Sequence, residues 1–354
     1  MYKWVDRVAG ERIRPVYVTP VASVIPEKTT WLIKENGGIL KVSVEALTDE
    51  LNGTLSCSAP KGWLITPPSC NVGPLKRGER ATFTFMHQGS NQPEPGSLKF
   101  LFSSADGQSK SNKTLHEIDY PHIMPQVYYT PAEVKMIPLD VKTTAKTVGY
   151  IKGAGDDVPQ AIEQLGATVD FIEPATATLE SITKYDAIVV GIRAYNNNQG
   201  MKRFNPVLMK YVENGGTVVV QYTTRTSDMV LPDSLIGPYP FKLTRDRVTV
   251  EEAPPTFLAK DHPLLNTPNK ITGADFDGWV QERGLYFCGS LDPHYTPLIA
   301  WNDPGEQPLN GGLITCDYGK GRYVYTGISF FRQLPAGVPG AYRLFANLIS
   351  QREQ

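Results

Sequence analysis

Histidine and cysteine are scarce in this chain, at five and four copies in 354 residues. Their spacing removes most metal and thiol chemistry at once. His87, His116, His122, His262 and His294 are scattered, so no two sit where one helical turn would present a pair of metal ligands. No C-x-x-C joins Cys57, Cys70, Cys288 and Cys316, which excludes the local signature of a zinc knuckle or a dithiol redox site. Cys57 and Cys70 are expected either as separate buried thiols or as one disulfide of an oxidising compartment. An excess of charge is lacking too. A net charge of -1 and a pI near 6.5, with both signs interspersed, leave no electrostatic footprint for nucleic acid or an anionic membrane. No apolar run approaches the roughly 20 residues that span a bilayer, and MYKWVDRVAGERIRP has no signal-peptide core. The expected partner is a neutral or weakly charged ligand such as a glycan or small molecule, with no cofactor, metal, nucleic acid or membrane span.

A hydrophobic content of 41% supplies full cores for two domains. Residues 1–142 read as all-β, in short alternating runs such as LKVSVEAL, GTLSCSA and ATFTFMHQ between Gly, Pro and Asn clusters. Gly53-Thr54-Leu55, Pro60-Lys61-Gly62-Trp63 and Lys76-Arg77-Gly78-Glu79 resemble the Ig-like β-sandwich modules appended to bacterial carbohydrate-active enzymes. Trp63 is expected between the sheets, a sugar platform being the alternative. The proline-rich IDYPHIMPQVYYTPAEVKMIPLD is expected as a connector along the sandwich edge.

Residues 143–354 change period. TVGYIKG, ATVDFIE, AIVVGI and TVVVQY read as strands, with LIAWN, GLITCDYG and GRYVYTGI extending the sheet. Asp157 with Gln160 reads as an N-cap and capping box, Asn205 before Pro206 as a helix start, and Pro339 to Ser350 as a final helix. Alternating strands and helices predict an α/β domain, doubly wound on a mainly parallel sheet.

Ligands gather beyond the carboxyl ends of such strands. There the sequence collects Arg193, Tyr195 and Asn196, then Gln221, Tyr222 and Arg225, then Ser329, Phe330 and Arg332. These supply donors and aromatic faces for a sugar or a peptide carboxylate; arginines tying loops to strand carbonyls are the structural alternative. A secondary set comprises Arg245, Arg247, Glu251, Glu252, Asp275, Asp277, Trp279, Glu282 and Arg283. It contains the carboxylates that a glycoside-processing acid/base pair needs, but internal salt bridges to the adjacent Arg245, Arg247 and Arg283 are the commoner explanation. Gly153-Ala154-Gly155-Asp156-Asp157 sits where a dinucleotide fingerprint would, but lacks its third glycine and places two aspartates where a pyrophosphate would go. Asp275-Phe276-Asp277-Gly278 hints at a calcium loop without the later ligands.

Long segments in order resemble the C-terminal half of the long bacterial PIG-L (LmbE-like) deacetylases across essentially the whole chain: WVDRVAGERIRP, IDYPHI, GDDVPQAIEQLG, YDAIVVGIRAYN, YVENGGTVVVQY, IGPYPFKLTRDRVTVEEAP, HPLLNTPNKIT, GWVQERGLYF and SFFRQLPAGVPGAYRLFANL. The resemblance implies an Ig-like module and a flavodoxin-like domain similar to class I glutamine amidotransferases and ThuA-like proteins. In that family they follow a zinc-dependent deacetylase domain acting on N-acetylated sugars. It also implies a parent exported to the periplasm or cell surface, with a deacetylase domain preceding Met1.

Neither relative's catalytic residues carry over. His262-Pro263-Leu264-Leu265 stands where only a superficial likeness to the zinc motif His-Pro-Asp-Asp exists, and leucine neither ligates zinc nor acts as a base. Gln221, Tyr222 and Thr223 occupy the expected amidotransferase nucleophile elbow, and no G-x-C-x-G occurs. The expected function is therefore a non-catalytic accessory region that binds glycan or packs on the deacetylase domain. The alternatives are a hydrolase using carboxylates between Thr244 and Arg283, or Ser329, and a structural dimerisation module.

Overall fold

The computed structural model describes residues 1–33, 38–88, 96–120 and 122–351. The chain divides into two compact units, Met1–Leu139 and Asp140–Gln354.

The first unit is a β-sandwich. One sheet has six strands in the order Thr30–Ile33, Glu133–Pro138, Gly96–Ser104, Glu50–Ser58 and Ser69–Lys76, with Lys110–Ser111 added to Gly96–Ser104. The other has four: Ala22–Pro26, Gly38–Ala46, Arg80–Gln88 and Leu64–Thr66. Period-two alternation makes the core, since Leu40, Val42, Val44 and Ala46 all point inward from one strand. Phe85 of one sheet meets Phe100 of the other with ring centroids 5.2 Å apart. Trp63 is 8% exposed and edge-on to His87, so it is a core residue. Cys57 and Cys70 are free thiols, and burial pushes the Cys57 thiol up to about 12. The proline-rich segment is not an edge connector. Gln126–Pro131 pairs with Lys113–Ile118, and Glu133–Pro138 lies between two strands of the larger sheet. Pro131 and Pro138 sit at strand ends, where a missing N–H costs no ladder bond. Pro121, read with the connector, lies outside the described residues.

In the second unit seven strands run in the order Thr168–Phe171, Thr147–Ile151, Ala187–Val190, Thr217–Gln221, Gly321–Thr326, Leu313–Tyr318 and Thr296–Pro297. The first five are parallel to one another, and the last two join antiparallel. Helix Met201–Glu213 buries Phe204, Leu208, Tyr211 and Val212 against Val218 and Val220. Helix Pro339–Ile349 packs on the Ala187–Val190 and Thr217–Gln221 strands as well. Two helix starts differ from expectation in detail, although Asp157 is the N-cap residue of Val158–Gln164 as expected. Asp157 makes no side-chain cap; instead the Asp156 carboxylate accepts the Val158 N–H at 3.0 Å. Pro206 lies inside a helix that begins at Met201, and Asn205 is a buried tie, accepting from Tyr195 and donating to the Leu235 carbonyl.

The expected class of a flavodoxin-like or amidotransferase-like doubly wound α/β domain is corrected. Strands hold 40% of the chain and helices only 16%, and small antiparallel sheets recur. Three of them lie in the second unit: Phe241–Leu243 with Cys288–Leu291, Arg247–Val248 with Gly284–Leu285, and Thr256–Phe257 with Ile299–Ala300. The physical reason is the stretch between Gln221 and Gly321. It contains no long apolar face at helical spacing, its helices reach only four residues, and it folds as ribbons and turns before rejoining the main sheet at Thr296–Pro297 and Leu313–Tyr318. Within LIAWN, Ile299–Ala300 consequently pairs in a ribbon, while the Leu298 N–H donates to the Leu313 carbonyl of the main sheet.

Asp303 fastens two of these ribbons. It accepts the Thr249 N–H at 2.9 Å, the Thr249 hydroxyl at 2.6 Å and the Val250 N–H at 2.9 Å. Burial pushes this carboxyl up, but those bonds outweigh it and hold the group below its usual value. Asp303→Ala is expected to cost about 1.5–3 kcal/mol at pH 7. The folded pKa is the lower one, so the contribution is complete above about pH 4 and disappears as pH falls through the folded value. Urea denaturation at pH 7 and near pH 2.5 checks this: the difference between variant and wild type should shrink in acid.

Candidate functional site

The carboxyl ends of three central strands converge on an aromatic and arginine cluster. After Ala187–Val190 the chain turns sharply at Arg193, which has φ 55° and ψ 23° and directly precedes the short helix Ala194–Asn197. A strand-to-helix corner with its apex residue in the left-handed region is the geometry of a nucleophile elbow. It occurs here one strand earlier than the sequence suggested, and its apex is an arginine. The Arg193 N–H donates to the Tyr222 carbonyl at 2.8 Å, binding the corner to the end of the Thr217–Gln221 strand.

Tyr222 is the buried centre of the cluster, with Tyr286 and Phe331 partly exposed against it. Its ring stacks on Tyr286 at 5.6 Å and 16°, and tilts against Phe331 at 5.3 Å. The Arg332 guanidinium covers the Phe331 ring at 4.7 Å, and its Nε lies 3.2 Å from Glu282 Oε1. Burial pushes the Tyr222 hydroxyl up, partly offset by Arg193 and Arg332, so it is a neutral hydroxyl near pH 7. Arg193 Nη2 stands 3.6 Å from Asp228, while its Nε is buried without a hydrogen-bond partner among the described residues. Besides Arg193, the non-glycine residues with positive φ among the described residues are Gln281 and Tyr286, at 63° and 56°. All three belong to segments that build this cluster. Such conformations cost about 1–3 kcal/mol each and gather at functional sites.

The remaining residues of the expected pocket serve the framework. Tyr195 is fully buried and donates to Asn205 at 2.6 Å. Asn196 spends its amide inside the fold, donating to the Thr224 carbonyl and accepting from the Thr223 hydroxyl and the Thr224 N–H. Gln221 donates to the Tyr150 hydroxyl at 3.1 Å, and Tyr150 donates to Asp156 at 2.6 Å. Burial raises that Asp156 carboxyl despite these bonds. Ser329 is fully buried, and its hydroxyl donates to the Glu282 carbonyl at 2.6 Å. Phe330 is buried against Phe345. Arg225 lies outside the cluster, 3.3 Å from Asp233.

The secondary set is scattered. Arg245 and Arg247 are exposed and make no ion pair among the described residues, contrary to the salt bridges anticipated for them. Asp275 binds Arg343 at 2.9 Å and caps the turn at Thr272, so the Asp275–Gly278 segment is a capped turn held by an arginine. Trp279 is 4% exposed and donates to the Asp275 carbonyl. Arg283 is buried and donates to the Ala253 and Phe276 carbonyls. Glu251 is half-buried, and Glu252 and Asp277 are exposed; only Glu282 joins the candidate site. His262 caps the Pro263–Asn266 helix through Nδ1. Among the described residues no group of three or more His, Cys, Asp or Glu side chains is placed to hold a metal ion, and no helix is long and apolar enough to cross a membrane.

Sequence reading missed Tyr286 and Phe331. Both lie far from Tyr222 in the chain, and nothing in the local pattern separates them from core aromatics. The adjacent candidates Glu282, Phe330 and Arg332 were the nearest available signal.

No family model matches the chain, and no curated protein matches it. Among solved structures it is similar to WR4, a C. elegans MSP family member, at 10% identity and TM-score 0.21, covering 34% of this chain and 99% of that one. It is also similar to the periplasmic chaperone SfaE at 12% identity and TM-score 0.19, covering 33% and 58%. For E. coli alpha-2-macroglobulin the identity is 13% and the TM-score 0.22, covering 38% of this chain and 8% of the other. Likeness at this level assigns neither family nor activity.

Proposed function

We propose that this chain is a non-catalytic, carbohydrate-binding accessory region related to the C-terminal part of exported PIG-L-type deacetylases. The observation that carries the reading is the Tyr222 cluster. The partly exposed rings of Tyr286 and Phe331, packed on buried Tyr222 and flanked by Arg193 and Arg332, suit the C–H face and hydroxyls of a sugar ring, and the strained corner beside them carries a guanidinium where acyl-transfer chemistry needs a nucleophile. Ser329, the one hydroxyl weighed as a nucleophile, is committed to a backbone carbonyl and has no histidine as partner among the described residues. An NMR titration with chitobiose and N-acetylglucosamine tests the reading. Saturable millimolar binding centred on Tyr222 and Tyr286 is expected, weakened about tenfold or more by Tyr222→Ala. The absence of saturable shifts with these sugars and of retention on a glycan array would sink it.

Packing on a deacetylase domain is supported by a separate feature. All ten residues of the Tyr2–Asp6 and Gly10–Arg14 hairpin are exposed, including Tyr2, Trp4, Val5 and Ile13. An isolated two-stranded hairpin is marginal in water, and Trp, Tyr and Arg on one ribbon are the residue types that anchor interfaces. Light scattering separates this from self-association: a monomer is expected, and a stable dimer abolished by Trp4→Ser would favour the dimerisation module instead.

A further inference from the structure

Away from the Tyr222 cluster, a cleft of about 420 Å³ opens between the loop that follows Gln221 and the Phe241–Leu243/Cys288–Leu291 ribbon. That volume falls within the range of small-molecule sites. Its floor is apolar and fixed. Phe241 is 3% exposed and wedged against Tyr295 and Tyr325 at 5.7 and 5.3 Å, with Leu291 beside it.

The ribbon is built irregularly at this point. Lys242 pairs with Ser290 but Leu243 pairs with Cys288, so Gly289 is an extra residue. Bulges of this kind re-aim side chains and recur beside functional sites. The Leu243 N–H at the bulge is taken by Asp233 Oδ2 at 3.0 Å, and Asp233 Oδ1 accepts the Ser234 N–H at 3.1 Å.

The balance of polar groups gives the ligand class. Asp233 is committed to two amides and to Arg225 Nε at 3.3 Å. Asp292 Oδ1 accepts both the N–H and Nδ1 of His294, at 3.0 and 2.6 Å, which leaves Oδ2 with no hydrogen bond among the described residues. Lys242 forms no ion pair there, and Arg225 uses only Nε. The cleft therefore offers spare cationic donors on one side, a single spare carboxylate oxygen on the other, and an apolar floor. We propose that it binds a polyhydroxy carboxylate of monosaccharide size, a sugar acid, with the carboxylate on Lys242 and Arg225, a hydroxyl on Asp292 and the ring over Leu291, which buried Phe241 backs.

This site is independent of the Tyr222 reading, and its test reads different residues. Glucuronate titrated into the full chain is expected to give saturable shifts at Lys242 and Ser290, at least about tenfold tighter than glucose. Arg225→Gln combined with Lys242→Ala removes that preference, whereas Tyr222→Ala leaves it intact. Equal affinity for glucose and glucuronate, unchanged binding in the double variant, or tighter binding of glucose 6-phosphate than of glucuronate would each overturn the assignment. A circular-dichroism melt of the double variant matching wild type shows that any loss of binding is not a loss of fold.

Discussion

Gly153→Ala is expected to remove much of the second unit's stability and leave the sandwich unaffected. A Cβ at this position would lie 1.9 Å from the Ile192 carbonyl oxygen and 2.7 Å from the Ala194 nitrogen. Both are backbone atoms of the Arg193 corner, and the Ala154 N–H already donates to the same Ile192 oxygen at 2.8 Å. Neither partner can yield without opening the corner, so the loss should reach about 4–5 kcal/mol, the range of exceptional single substitutions. Gly155→Ala supplies the contrast. It has φ 91° and nothing within 4 Å of an added Cβ, so only the left-handed backbone is penalised, at about 1–2 kcal/mol. Residue-resolved urea unfolding distinguishes them, with first-unit amides as the internal reference. Equal midpoints for the two variants would refute the corner contact as the reason for Gly153. The same geometry accounts for the glycines that looked like a nucleotide fingerprint: Gly153 lets two turns touch.

Arg283→Ala should have the second large effect. The side chain lies against the stacked pair Phe276 and Trp279, at 5.6 and 5.3 Å from their rings, and donates to the Ala253 carbonyl at 3.0 Å and the Phe276 carbonyl at 2.6 Å. Burial lowers its pKa to about 10, which still leaves a cation at neutral pH. Truncation strands two buried carbonyls and leaves a cavity beside the stacked Phe276 and Trp279 rings, at a cost of about 3–5 kcal/mol. Arg283→Lys should recover little, because an ammonium cannot reproduce the planar fork or the stacking. The Arg283 carbonyl also accepts the Ser329 N–H, and Glu282 and Tyr286 lie in the same segment. Lost stability should therefore come with shifted Tyr286 and Phe331 resonances. A variant with wild-type stability that lost only ligand binding would assign Arg283 to recognition instead.

Much of the site's address could be read from the chain, and much of its content could not. Arg193, Tyr222 and Arg332 follow apolar strand runs, and strand ends are visible in sequence because AIVV and TVVVQ are continuous hydrophobic stretches. Tyr195, Asn196 and Ser329 have the same address but point into the framework. Their hydroxyl and amide groups found backbone and side-chain partners that no spacing rule reveals.

The sequence by itself determined the alternating strands of the sandwich, the apolar strands and longest helices of the second unit, and the lack of any local zinc or thiol motif, because these depend on residue type and on periods of two or about 3.6. Only the tertiary structure decided that the stretch after Gln221 would fold as small antiparallel ribbons, that Arg193 would be the left-handed apex, and that Tyr222, Tyr286 and Phe331 would meet. Those outcomes depend on which distant segments satisfy one another's backbone groups and fill one another's volume, and short-range pattern carries no record of that choice.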